Sequence, residues 1–136
     1  MNTVTGYWTV NKNYPYFPQL KELFEKKNIT YIDLDEHKIR NVEALNYIKK
    51  CKVYLGLDTG MSNYASAFAN GKGYILQSGF NSPNFWSIYD YEYIMNLQPC
   101  SSCFLRKSCP NNNVCMEIPP EEVLNRIKNR LDLRVK

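Results

Sequence analysis

One histidine, His37, stands in the whole chain, and that scarcity closes off a large part of hydrolytic chemistry. No serine or cysteine nucleophile pattern accompanies it, so a Ser-His-Asp type of triad is not expected. The sequence also lacks G-x-x-x-x-G-K-[ST] and G-x-G-x-x-G, which removes the NTPase phosphate loop and the ordinary dinucleotide fingerprint. No apolar run approaches the roughly 20 residues that a membrane helix needs, so no membrane span is expected. The amino end, MNTVTGYWTV, has neither the charged start nor the apolar stretch of a signal peptide. A cytoplasmic location is the resulting expectation, and there thiols stay reduced. Charge of one sign is not in large excess: 17 basic against 13 acidic residues leave a net charge of +4, interspersed along the chain. A nucleic-acid binder concentrates its basic residues on one stripe, so no nucleic-acid partner is expected, while an anionic ligand is tolerated. Internal repeats and low-complexity linkers are missing as well.

What is present fits one domain. At 136 residues, with 44% hydrophobic and 22% charged residues, the chain is long enough for a single core. Apolar runs alternate with segments of helical period, the pattern of an α/β sheet with crossover helices. Strands are predicted at TVTGYWTV (3–10), ITYIDL (29–34), KVYLGLD (52–58), GYILQSG (73–79) and YEYIMNL (91–97), about five in a mostly parallel sheet. Pro18 opens a predicted helix with Leu20, Leu23, Phe24 and Lys27 on one face. Asn41 is expected to cap a helix that buries Val42, Leu45 and Ile48. A third helix places Met61, Tyr64, Ala65 and Phe68 on one side and stops at Asn70-Gly71. The last helix, over about 119–131, begins at Pro119-Pro120 and packs Val123, Leu124, Ile127 and Leu131, with Glu121 and Glu122 at its positive end.

The sharpest corner lies in LDTGMSN, residues 57–63, where an apolar strand turns directly into a helix of small residues. In open α/β sheets, ligands collect beyond the carboxyl ends of the strands, and a helix amino end offers unpaired N–H groups to phosphate. Gly60 lets backbone approach a diphosphate without a Cβ in the way, and Thr59 either caps the helix or donates to a phosphate oxygen. From these residues alone, capping and ligand binding both remain open. Ser62, Ala65, Ser66 and Ala67 are small enough to let the helix lie close to the sheet. Trp8, Trp86 and the tyrosines of FWSIYDYEY are candidates for stacking a base or sugar, against ordinary interior packing.

Four of the five cysteines fall in CSSCFLRKSCPNNNVC, which spaces Cys100, Cys103, Cys109 and Cys115 as C-x2-C-x5-C-x5-C. Two thiolates two residues apart bite one ion, and four complete a tetrahedral shell, so a structural zinc or iron site is the expectation, with free or paired thiols the alternative. The spacing is neither the common zinc ribbon nor a standard ferredoxin run. Cys51, before the third strand, reads as a small buried apolar residue.

The segment YLGLDTGMSNYASAFANGKGYILQSGF resembles the D-T-G-x-x-H-x-A segment of glycosyltransferase family 9, the heptosyltransferases of GT-B fold, with Asp58, Thr59, Gly60 and Ala65 in matching positions. Asn63 stands where that family commonly has histidine; it can hydrogen-bond a phosphate but cannot carry a proton. Lys12 followed by Tyr14-Pro15 looks like the family's K-x-W-P segment, and CMEIPPEEV matches its C-M…I-x-P-E-x-V tail at Met116, Ile118, Pro120, Glu121 and Val123. QSGFNSPNFW, with Pro83, takes the place of its G-P-T-x-P loop.

The resemblance covers the chain but only the second half of a typical member. It implies a single Rossmann-like domain, half of a GT-B fold, that binds the diphosphate of an ADP-heptose type donor. Lys12, Asp58, Thr59, Gly60, Met61, Ser62 and Asn63 are the implied donor contacts. Asp35 or Glu36 is implied near the ribose, and Ile39 in the base pocket. Transfer then needs an acceptor domain in a separate subunit, and a lone half invites such a partner or self-association. The alternatives are a silent nucleotide or nucleotide-sugar binder and a metal-clipped interaction module.

Overall fold

Tyr54, Leu55, Gly56 and Leu57 are all buried, side by side, as happens in a strand covered on both faces. This strand, β1 (Tyr54–Leu57), lies parallel to β2 (Gly73–Gln77), which lies parallel to β3 (Glu92–Met95), in the order β1-β2-β3. The computed structural model describes residue 1 and residues 10–69, 72–80, 91–105 and 107–131. Among these, four α-helices accompany the sheet: α1 (Phe17–Lys26), α2 (Asn41–Lys50), α3 (Gly60–Ala69) and α4 (Pro120–Ile127). Short 3-10 turns sit at Val10–Lys12 and Val114–Met116. The chain is an α/β domain with a small open parallel sheet.

The period of two along the strands sorts the core into two layers. Leu55, Leu57, Tyr74, Leu76 and Ile94 join Leu20 and Phe24 of α1 and Val123, Leu124 and Ile127 of α4 on one face. Tyr54 and Ile75 join Ala44, Leu45 and Ile48 of α2 and Ala65 of α3 on the other. The helices use local chemistry to begin and end. Pro18 and Pro120 occupy the first turns of α1 and α4, where no amide partner is lost. Asn28, left-handed at φ 55°, closes α1 by letting Ile29 N–H reach Phe24 O at 2.8 Å and its own N–H reach Glu25 O at 3.1 Å.

Three strands among the described residues replace the five expected. KVYLGLD, GYILQSG and YEYIMNL contain β1, β2 and β3. Among the described residues ITYIDL forms no ladder; Ile32 O accepts from the Met1 amine and Leu34 N–H donates to Met1 O at 2.8 Å. Of the expected strand at 3–10, residues 3–9 lie outside the described residues, and Val10 opens a 3-10 turn.

Asn41 does not cap α2: it is itself left-handed at φ 55°, and no side chain caps that helix. Val42 is 69% exposed, because the buried stripe runs through Ala44, Leu45 and Ile48 and position 42 falls roughly a third of a turn away. Tyr64, at 59% exposure, is likewise displaced from the buried face of α3 by Ser62. The Asn70-Gly71 stop lies outside the described residues. The last helix ends at Ile127, followed by turn rather than helix to Leu131.

Gly56 explains why Ser62 can lie inward. A Cβ on Gly56 would stand 2.6 Å from Ser62 Oγ and 2.7 Å from the Tyr54 hydroxyl. Bare backbone there lets α3 close on β1, and the buried Ser62 hydroxyl is satisfied by Leu57 O and by the Tyr54 hydroxyl at 3.0 Å.

Candidate functional site

The corner after β1 follows from that close packing. Leu57 is fully buried and ends the strand, the chain turns at Asp58-Thr59, and α3 starts at Gly60. Asn63 N–H donates to Thr59 O at 3.1 Å, the first helical bond, and Ser62 N–H donates to Thr59 Oγ1 at 3.3 Å. Thr59 therefore does cap the helix. The amides of Gly60 and Met61 precede the first helical bond and sit at the positive end of the helix dipole. A Cβ built on Gly60 meets nothing within 4 Å among the described residues, so a side chain there would enter open space.

Lys12 comes to this corner from the 3-10 turn at Val10–Lys12. Its Nζ lies 3.0 Å from Asp58 Oδ2, with both side chains mostly covered, at 15% and 17% exposure. The same ammonium lies over the Phe80 ring, 4.8 Å from its centroid. Asp58 and Phe80 thus hold a cation beside the amino end of α3. An ammonium has three donors, and Asp58 Oδ2 takes one of them. Tyr93, on β3, has its phenol held above its ordinary pKa, chiefly by burial and secondarily by the Asp58 charge.

The structure brings Lys12, Asp58, Thr59, Gly60 and the Met61 amide together. The Met61 side chain packs against the second core layer, and Asn63 is exposed on the first turn of α3. Ser62 points into the sheet with its hydroxyl satisfied, so it offers the corner only backbone. Ile39 is buried at 8% exposure among Leu34, Ala44 and Tyr54. Glu36 is exposed and pairs with Lys21 at 2.7 Å, and Lys21 also pairs with Asp33 at 2.7 Å. Trp8, Pro83 and Trp86 lie outside the described residues. Sequence reasoning missed Phe80, although its place just past the end of β2 was the available signal, since ligands gather beyond parallel strand ends.

The cysteine segment docks beside the same corner. Gly79 O accepts from Ser102 N–H at 2.6 Å and Cys103 N–H at 3.3 Å, and Phe80 O accepts from Phe104 N–H at 2.9 Å. Asn11, next to Lys12, donates through Nδ2 to Leu105 O at 2.7 Å and Lys107 O at 2.8 Å. Cys100, Cys103, Cys109 and Cys115 all line one cavity of about 20 Å³, together with Gly79 and Asn111. All five cysteines are free thiols. Burial holds the Cys115 thiol above its ordinary pKa, against the opposing Gly79 N–H. As placed, no three Cys, His, Asp or Glu side chains among the described residues are gathered into a coordination shell. Cys51 is half-buried and donates to Ile48 O at 3.1 Å.

No helix among the described residues is long and apolar enough to cross a membrane. Comparisons of the chain with protein-family models, with curated proteins and with solved structures found no match.

Proposed function

We propose that this chain is a nucleotide-sugar-binding domain similar to the donor half of a family 9 glycosyltransferase. It grips the diphosphate of an ADP-heptose type donor at the corner after β1 and works with an acceptor domain. The observation that carries this reading is the Lys12 ammonium, held by Asp58 at 3.0 Å, two residues before the amino end of α3 at Gly60. A helix amino end and a preorganised cation are the two groups that a diphosphate seeks. In a glycosyl transfer the nucleoside diphosphate departs, and the same two groups would stabilise the negative charge growing on it. The general base for the acceptor hydroxyl would come from the acceptor half.

A second reading, a nucleotide or nucleotide-sugar binder without transfer activity, is favoured by Asn63. It puts a side chain that cannot titrate where the resembling family commonly carries histidine.

Binding is tested by melting the protein with ADP, an ADP-sugar and UDP as separate additions. A ligand that binds only the folded state raises the melting temperature by mass action. The expected result is a rise with the adenine ligands that Gly60→Val removes. The unliganded melting temperature of that variant should stay put, because the added side chain enters open space. No rise with any of the three at millimolar concentration would overturn the reading.

A further inference from the structure

The 99–115 segment poses a physical problem that the diphosphate corner does not solve. It has a single 3-10 turn and no ladder, and Cys100, Cys103, Phe104, Asn111 and Asn112 are all exposed. Four of its non-glycine residues, Ser102, Phe104, Asn112 and Asn113, adopt left-handed backbone at φ 52–65°. Each such residue costs free energy that local packing has to offset. Four cysteines spread over sixteen positions nonetheless line one void of about 20 Å³, although as placed they do not yet form a common coordination shell. A hydrogen-bond donor is already aimed at one of the sulfurs: Asn111 Nδ2 lies 3.6 Å from Cys100 Sγ. Such donors are the usual outer partners of metal-bound cysteine.

We propose that Cys100, Cys103, Cys109 and Cys115 bind one divalent ion of the zinc class, and that this ion fastens the segment to the end of β2. On binding, each thiol releases its proton to solvent and contributes a sulfur lone pair, so the ion sits in a closed four-thiolate shell with no open position. The role is structural. Gly79 is the strut: it receives Ser102 and Cys103 through its carbonyl. A Cβ there would press on Ser101 Oγ at 3.0 Å and Cys115 Cβ at 3.4 Å, so the loop lies flush on it. The inference does not rest on nucleotide binding.

The full chain, purified without oxygen in the presence of a reductant, decides the matter by metal analysis and by titration of the stripped protein with cobalt(II). The expected result is one zinc per chain, tetrahedral cobalt bands with thiolate charge transfer, and displacement of cobalt by zinc. Cys103→Ser and Cys109→Ser should each abolish those bands, while Cys51→Ser should leave them intact. Exchange of the Ser102 and Phe104 amides should quicken when the ion is stripped, with exchange in β1 and β2 unchanged. Should the serine variants fail to fold, the cobalt titration of the unaltered chain still decides. A folded protein with five titratable thiols and no cobalt bands would overturn the proposal. So would two disulfides in the reduced preparation, or iron accompanied by acid-labile sulfide.

Discussion

The corner after β1 and the cysteine segment lie beside each other, yet they are held in place by different physics. At the corner, Leu57 is fully buried beneath it, α3 is pressed onto β1 through Gly56, and Thr59 caps the helix. Its geometry is a by-product of a core that would form anyway. The segment from 99 to 115 has little core of its own apart from Cys115, packed against the first layer just before the buried Met116. Its position is set by a handful of backbone bonds to Gly79 and Phe80 and by the two bonds from Asn11. A site built on regular elements is placed by burial; a site built on a loop needs specific tethers.

The contrast breaks most visibly if the core is cut. Leu57→Ala should cost about 3 kcal/mol, within the usual spread for a fully buried leucine. Phe104→Ala, on a ring 49% exposed, should cost about 1 kcal/mol or less. Urea unfolding of both variants checks this, and equal costs would mean that the loop is as deeply built in as the strand. A smaller effect is expected where α3 meets β1. Gly56→Ala forces a methyl into Ser62 and the Tyr54 ring, and overpacking of this kind costs about 1–3 kcal/mol. The same measurement on Gly60→Ala should move stability by about 0.5 kcal/mol at most, since nothing stands near that position.

A modest stability change sharpens the functional side of the comparison. Lys12→Met removes one partner of a largely covered ion pair, and the loss should be about 1 kcal/mol in chemical unfolding. Its effect on ligand should be much larger in kind: the ADP-dependent rise in melting temperature should vanish or fall sharply. A Lys12→Met protein that still responds fully to ADP would move the binding site away from this lysine.

Much of the fold was legible because two of its features are local. Strands covered on both faces read as near-continuous apolar runs, as in Tyr54–Leu57 and Gly73–Leu76, and α4 announces itself by two prolines, two acids and an apolar stripe. Errors came where one tertiary contact overrode periodicity. Val42 and Tyr64 match an apolar pattern but lose the buried face to Ala44 and Ser62, and Ser62 wins only because Gly56 makes room for it. ITYIDL has the composition of a strand, but a strand exists only with a partner, and among the described residues it meets no strand, only Met1 at Ile32 and Leu34.

By itself, the sequence determined the α/β class, the succession β1–α3–β2, the α4 stripe and the clustering of four cysteines, since each depends on spacing along the chain. That Lys12 meets Asp58, 46 positions away, was decided only by the tertiary structure. So was the seating of the Lys12 ammonium on Phe80, and the choice of Gly79 as the strut of the cysteine segment. The physical reason is that these contacts join residues far apart in the chain, and their distances are set by how sheet, helix and loop pack rather than by any local period.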